Sequence, residues 1–427
     1  MPRRSRAAAA TVAAIGLLAG SAGGMGISPA RSAAVAPASS SQLTLITEPQ
    51  DGIAPILSAV EGARREIDMV MYEDSDAQVD SALAADARRG VDVRVLLNGG
   101  YYGRGGFPQN DVAYRYLKAH GVPVRWTPPY FALTHQKTLI VDGRAYILTF
   151  NLTPQYYAST RDFGVIDTDE ADDAAIERTF DADWSRRPIT PPQGADLVWS
   201  PGSQAAQVSL IASATGWLDI YNEEMDSAAI EDALEADAHR GVDVRVVMTA
   251  DSSWNSAFAQ LEGAGVHVST YAANAALYIH AKMILTPARA FLGSENFSTA
   301  STNDNRELGL ITSDETIRAS LSRTFNADFT NATPFAASGP GASRGGPSGS
   351  AECSVSASYD GEYDDWDVYV HSDEPDATAT VADRSGTTAS YPTDSTGYAD
   401  VYLEAPASAA GEKVTVHVGP ATCAGTL

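Results

Sequence analysis

The stretch "LAADARRGVDVRVLL" (83–97) returns as "LEADAHRGVDVRVVM" (234–248), with Gly241 following Gly90 by 151 residues. In each copy an Ala/Leu-rich amphipathic run ends at glycine, a common helix stop, and Val-x-Val alternation then begins a strand. The middle of the chain is therefore a duplicated α/β unit. The two RGVDVRV stretches read as scaffold, and nothing in them calls for a catalytic role.

Downstream of each copy lies a second matched pair, "THQKTLIVDGRAYILTFNLT" (134–153) and "YIHAKMILTPARAFLGSENFS" (278–298). His135 and His280 are 145 residues apart, so the second copy is about six residues shorter between the two landmarks. Within the copies the spacing is held: His135 to Lys137 and His280 to Lys282 are two apart, and His135 to Asn151 and His280 to Asn296 are sixteen apart. Eleven further on come Asp162, in "RDFGVI", and Glu307, in "RELGLI". A lone His in an apolar strand is ordinarily structural, because an unpaired buried polar group costs about 1–3 kcal/mol and tends to find a partner. A set of His, Lys, Asn and carboxylate repeated in both halves points instead to catalysis or phosphate binding.

Residues two apart on a strand share a face, so each copy sets an imidazole beside an ammonium. "TLIV-DG-RAYIL" predicts a two-residue hairpin, because Asp-Gly tolerates the positive φ angles of a type I′ turn. Pairing about Asp142-Gly143 brings Asn151 back to the end where His135 lies. Lys neutralises a phosphoryl oxygen, and Asn can donate to it. Asp162 or Glu307 can accept from the far ring nitrogen and fix the tautomer, as the acid does in a Ser-His-Asp triad. Two facing half-sites supply two histidines, enough for one nucleophile and one general acid.

On these residues, over about 43–332, the chain resembles the phospholipase D superfamily, whose signature is H-x-K-x4-D twice, each followed by G-S-x-N. His135, Lys137, Asp142 and Asn151 fit the first copy, where "LTFN" replaces G-S-x-N; His280, Lys282, Gly293, Ser294 and Asn296 fit the second. Pro287 stands where the second Asp is expected. The resemblance implies two α/β/α repeats packed about a pseudo-twofold axis. It also implies one His attacking phosphorus, with the first, His135, as nucleophile, and the other His protonating the leaving alcohol. It implies no metal and no other cofactor. Asp142 reads as a turn former, and because proline cannot adopt positive φ the second hairpin is expected to turn differently, over "TPAR".

The ends of the 427-residue chain differ from its middle. The first forty residues, with an Arg-rich start, an apolar run and small residues beyond, read as a secretory signal and a disordered N-terminus. The formal charge of −25 argues against nucleic acid as a partner, since that binding is dominated by phosphate neutralisation. Much of this charge is local, with fourteen Asp/Glu against Arg384 and Lys413 from Ala351 onward. Cys353 and Cys423, near the two ends of that acidic segment, read as one disulfide in an exported protein. Short alternating stretches between them predict a small antiparallel β-sandwich, and "DGEYDDWD" (360–367) reads as a solvated acidic loop rather than a calcium site.

The expected domains are a first repeat over 41–190, a second over 191–334, a Gly/Ser/Pro linker over 335–351 and the acidic β domain over 352–427. Aromatics in 98–111 and 125–131 form either an interfacial lip or an ordinary loop. Tyr156, Tyr157 and Trp254 read as packing or rim residues. His120, His239, His267, His371 and His417 have no counterparts and read as ordinary. The expectation is a secreted, monomeric phospholipase D-like phosphodiesterase. It would meet phospholipid at a membrane or micelle surface and release the headgroup through a phosphohistidine, with headgroup exchange as a second outcome. A nuclease of the same chemistry and a binding protein with a decayed site are the rivals.

Overall fold

The computed structural model describes residues 42–100, 102, 107, 109–336, 353–360, 365–372, 378–384, 388–392, 398–403, 407–419 and 421–427. The expected leader, most of the expected linker and the centre of the acidic loop lie outside the described residues.

The first repeat opens with β1 (Leu43–Glu48), α1 (Ala54–Gly62), β2 (Glu66–Met71), α2 (Ala77–Arg89) and β3 (Asp92–Leu97). It continues through α3 (Gln109–Ala119), β4 (Val124–Trp126), β5 (Thr138–Val141), β6 (Ala145–Leu148), β7 (Thr160–Asp167) and α4 (Glu170–Trp184). The second begins with β8 (Leu197–Ser200), α5 (Gln204–Ala212), β9 (Trp217–Tyr221), β10 (Met225–Asp226), α6 (Ala228–His239) and β11 (Asp243–Thr249). Then come α7 (Asn255–Ala264), β12 (His267–Tyr271), β13 (Tyr278–Ile279), β14 (Lys282–Leu285) and β15 (Ala290–Gly293). It closes with β16 (Phe297–Ser298), α8 (Thr299–Asn303), β17 (Glu307–Thr312), α9 (Glu315–Asn331) and β18 (Thr333–Pro334).

The duplication read from the sequence is a duplication of topology. One open sheet runs β1-β7-β6-β5-β2-β3-β4, and the other runs β8-β17-β15-β14-β9-β11-β12-β18, the same order with one strand added. The helix stops behave as predicted, with Gly90 and Gly241 at φ 94° and 85°. The Arg of each RGVDVRV strand is also structural: Arg94 pairs with Asp68 and Arg245 with Asp219, each through an Nε contact of 2.8 Å.

Side chains alternate across the sheets. Leu139 and Val141 face the outer helices of the first repeat, while Ile140 turns inward to a layer shared with Met283, Leu285, Leu292 and the helices α4 and α9. Each repeat thus has its own outer core, and the inner faces of both sheets share one central core.

Two buried, bidentate ion pairs cross this central layer. Arg161 Nε and Nη2 lie 2.6 and 3.2 Å from Asp328, and Arg306 Nε and Nη2 lie 2.9 and 3.2 Å from Asp183. Each Arg belongs to one repeat and each Asp to the last helix of the other.

The tail holds β19 (Cys353–Asp360), β20 (Asp365–Ser372), β21 (Thr378–Ala382), β22 (Thr388–Pro392), β23 (Tyr398–Leu403), β24 (Lys413–Val418) and β25 (Ala421–Thr426). They form sheets ordered β19-β20-β23 and β22-β21-β24-β25. Val368, Val370, Val401 and Leu403 from one sheet share a core with Val381, Val414 and Val416 from the other, the expected small sandwich. Cys353 is bonded to Cys423, closing a 70-residue separation. Such a loop contributes roughly 4 kcal/mol in the chain-entropy model. Phe335 packs on Phe258, and its amide donates to Val268, so the second repeat's packing continues past Pro334. Among the described residues no helix is long and apolar enough to cross a membrane.

Candidate active site

The two signature segments enter the site by a reciprocal exchange of backbone. The amides of His135 and Gln136 donate to the Arg306 carbonyl at 3.0 Å, and those of His280 and Ala281 donate to the Arg161 carbonyl at 3.2 and 2.9 Å. β13 pairs with β7 in parallel, and the matching place in the other half is a parallel bridge between Thr134 and Arg306. Each histidine is therefore fastened to the repeat it does not belong to. The Arg residues whose carbonyls hold them are the same ones that clamp the repeats together.

The next residue on each clamped strand is the carboxylate. His135 Nδ1 lies 2.8 Å from Glu307 Oε2, and His280 Nδ1 lies 2.9 and 3.1 Å from the two oxygens of Asp162. The orienting acid thus comes from the opposite repeat in both cases, a crossing that spacing within one copy could not show. The acids are held in turn: Glu307 Oε1 accepts from Ser301 Oγ at 2.6 Å, and Asp162 Oδ1 accepts from Thr149 Oγ1 at 2.5 Å. Burial alone would raise the Glu307 carboxyl, but His135, Lys137 and the Ser301 hydroxyl hold it below its ordinary range. Burial pushes the His135 imidazole down to about 4; Glu307 opposes that shift, and Lys137 and Lys282 reinforce it. His135 is then a neutral ring with its proton on Nδ1, and Nε2 carries the lone pair.

Lys137 and Lys282 are fully buried, and their ammonium groups donate to the carbonyls of His135 and His280 at 2.8 and 2.6 Å. Each lysine stands two residues past its histidine, but the two do not share a strand as expected: His135 and Lys137 lie just before β5, and His280 lies in the step between β13 and β14. Asn151 and Asn296 are also buried, and Asn296 Nδ2 donates to Glu224 at 2.7 Å. Lys282 contributes to the depression of His135, so the two half-sites lie within electrostatic reach of one another.

Asp142 and Ser294 serve the framework. Asp142 and Gly143 take φ of 53° and 80°, as a type I′ turn requires. The Asp142 carboxylate accepts from the amides of Arg64, Arg65 and Glu66 at 2.8, 2.8 and 3.1 Å, capping the start of β2. At the corresponding place Pro287 sits in a turn of the same length, where Thr286 Oγ1 accepts from the amides of Ala288 and Arg289 at 3.3 and 2.9 Å. Ser294 Oγ accepts from the Leu308 amide at 3.2 Å, locking β15 to β17.

Two residues at the site had not been singled out from the sequence. Tyr72 and Glu223, both just beyond the central strand of their sheet, occupy equivalent positions by the 151-residue repeat. Tyr72 packs edge-on to the His135 ring at 4.4 Å, with Lys137 Nζ 4.7 Å from its centroid. Glu223 Oε2 lies 2.8 Å from Lys282 Nζ and 3.4 Å from His280 Nε2, and Oε1 accepts from the Tyr278 hydroxyl at 3.0 Å. Burial would raise Glu223, but His280, Lys282 and His135 outweigh it and hold the carboxylate charged. The signal that could have found the pair is the repeat itself: aligned copies make Tyr72 and Glu223 a mismatch one step past matched strands.

Of the aromatic stretches, Phe107 packs on Tyr72, the ring that borders His135. Trp126 stacks on Tyr114, and Phe131 lies against the Arg306 guanidinium. Tyr157 donates to Asp76, and Trp254 is buried. His120, His239, His267 and His417 are exposed, as ordinary surface histidines are. Among the described residues no group of three or more His, Cys, Asp or Glu is arranged to hold a metal ion.

The sequence matches the family model described as cardiolipin synthase, PLD-like domain, over residues 56–184 and 208–329, one match per repeat. No curated protein matches it. Among solved structures, phosphatidylserine synthase from Haemophilus influenzae aligns with a TM-score of 0.56 at 11% identity, covering 69% of this chain and 87% of that one. Polyphosphate kinase from Porphyromonas gingivalis aligns with a TM-score of 0.53 at 13% identity, covering 66% of this chain and 46% of that one. At such identities the likeness is one of fold. The family match spans more than half of the chain and falls on the two halves that bring His135 and His280 together, so the chain belongs to the phospholipase D-like family of phosphodiesterases.

Proposed function

We propose that this protein is a phospholipase D that works outside the cytoplasm, hydrolysing glycerophospholipids to phosphatidic acid and a free headgroup alcohol. The observation that carries the reading is the pair of crossed His–carboxylate contacts, each beside its own buried lysine. That arrangement can receive one phosphodiester between two imidazoles. Lys137, Lys282 and the two asparagines neutralise and orient its oxygens.

His135, neutral and with Nε2 unprotonated, attacks phosphorus. The phosphorus–oxygen bond to the headgroup breaks, and the leaving oxygen takes a proton from His280. The imidazolium form of His280 suits that role, since Asp162 and Glu223 offer an acceptor to each ring nitrogen. Water then gives its proton to His280 and displaces His135 from phosphorus. An alcohol in place of water gives headgroup exchange.

The disulfide fits a non-cytoplasmic compartment, and the net charge of −25 favours a zwitterionic substrate over a polyanion. The test is release of choline from a soluble short-chain phosphatidylcholine, with plasmid DNA in parallel, followed by acid quench and peptide mapping. The expected result is headgroup release with the phosphatidyl group trapped on the His135 peptide. DNA cleavage without headgroup release would overturn the lipid reading, and label on the His280 peptide alone would reverse the roles.

A further inference from the structure

The duplicated scaffold places an aromatic ring over the first His–Lys pair and an acid over the second, through Tyr72 and Glu223. Glu223 is not a core residue: its side chain keeps 23% of its surface, whereas the Lys282 it holds is fully buried. It holds the Nζ of Lys282 and approaches the Nε2 of His280, the atoms that a phosphodiester and its leaving oxygen must reach. A carboxylate there repels a substrate whose only charge is negative. It attracts one that carries a positive charge a few atoms from the phosphorus.

The charge would have to lie on the leaving group, because in the reading above His280 serves the leaving oxygen. An amino-alcohol headgroup meets this condition, with its nitrogen two carbons from that oxygen. Tyr278, whose hydroxyl pins Glu223 at 3.0 Å, keeps 38% of its surface exposed beside it and offers an aromatic edge or face to an ammonium. We propose that Glu223, steadied by Tyr278, is the specificity-determining residue of the leaving-group side, selecting phosphodiesters with a cationic amino-alcohol headgroup and rejecting those with a neutral polyol. The inference rests on the phosphodiesterase reading and on His280 as the acid.

The test compares kcat/KM of the full chain on dihexanoyl phosphatidylcholine and dihexanoyl phosphatidylglycerol, for the wild type, Glu223→Gln and Tyr278→Phe. The glycerol ester is the internal control for folding and for the chemistry itself. The wild type should prefer the choline ester. Glu223→Gln should reduce that preference by about tenfold, the equivalent of one modest charge-assisted contact. Because Glu223 also borders His280 Nε2, any effect on the acid step falls on both esters and cancels in the ratio. Tyr278→Phe, which keeps the ring, should shift the ratio in the same direction by about threefold.

An equal fall on both esters, or an unchanged ratio in Glu223→Gln, would overturn the assignment while leaving the phosphodiesterase reading intact. Should Glu223→Gln fail to fold, Tyr278→Phe decides, and an unchanged ratio there overturns it as well. A wild type that cleaves neither ester removes the underlying reading and the inference with it.

Discussion

The two halves of this protein share a framework but not a chemical environment. Strand order, helix stops, Arg–Asp clamps and backbone docking of the histidines recur from one repeat to the other. At the reacting face the copies diverge. His135 sees Glu307 and the Tyr72 ring, while His280 lies between Asp162 and Glu223. Duplication produces a symmetric cradle, and a phosphodiester with two different ester oxygens needs an asymmetric one. The difference lies in what borders each imidazole, an acid and an aromatic ring at His135 and an acid on either side at His280. The proposed division of labour, His135 as nucleophile and His280 as acid, rests on it.

The largest effect should come from breaking that division of labour. His135→Ala should lower kcat by about 10⁶-fold, as loss of a nucleophile does elsewhere, and His280→Ala by about 10²–10⁴-fold. The two should separate on a substrate with a p-nitrophenol leaving group, whose departure needs no proton. There His280→Ala should recover much of the bond-breaking step, seen as a burst of nitrophenolate, while His135→Ala stays inactive. Recovery of the His135 variant instead would exchange the roles of the halves.

The framework should respond evenly. Removing one partner of a buried ion pair costs about 3–5 kcal/mol, and Arg161→Met and Arg306→Met each leave an Asp without its guanidinium. Both should lower the denaturation midpoint by similar amounts, measured by chemical unfolding of the full chain. A loss confined to one of them would show that the clamps, alike in geometry, are unequal in energy. Asp328 also accepts from the Tyr221 hydroxyl at 2.7 Å, which softens Arg161→Met, while Arg161 also donates to Gln50 Oε1 at 2.9 Å and to the Glu48 carbonyl, contacts that the same change removes.

These clamps also mark how far the sequence could be read. The His, Lys, Asn and carboxylate sets were legible because spacing within a copy was conserved between copies, and Val-x-Val alternation gave the sheets. Exchange between copies was not legible. Nothing local in "RDFGVI" says that Asp162 serves His280 rather than His135, since that depends on how two sheets face each other. Arg161 and Arg306 stood in the quoted motifs, but their partners lie in α4 and α9, where "DADW" and "NADF" look like ordinary helix. Glu223 was hidden for a different reason. It is the point where the repeat fails, and a search for matching residues passes over mismatches.

Asp142 offers a smaller test. Burial would raise its carboxyl, but three backbone amides and Arg65 hold it below its ordinary range. A depressed carboxylate stabilises the fold above the unfolded-state value near 4 and loses that contribution as pH falls through the folded value. Asp142→Ala should therefore cost about 1–2 kcal/mol at pH 7. Its melting temperature should converge with that of the wild type below about pH 4, and kcat should stay unchanged. A large fall in kcat with stability intact would return this Asp to the reacting groups and undo its reading as a turn residue.

The smallest effect is expected where the halves differ most visibly in sequence. Pro287 replaces the second signature Asp, yet its turn spans the same two positions, with the Thr286 hydroxyl supplying contacts that keep the loop closed. In β14 Lys282 pairs with Gly293 and Leu285 with Ala290, so the turn sits at the far end of the hairpin from the ammonium. Three residues of extended chain separate them by roughly 10 Å. Converting the second turn to the first, by Pro287→Asp with Ala288→Gly, should thus move kcat by less than about twofold. Stability should change by no more than about 1 kcal/mol, since the new turn gains Asp-Gly geometry but loses proline's rigidity. Parallel measurement of turnover and unfolding checks both. A gain of tenfold or more in kcat would mean that the natural turn holds the second half-site below its full activity, and the asymmetry that matters would then extend from the reacting face to the end of the hairpin.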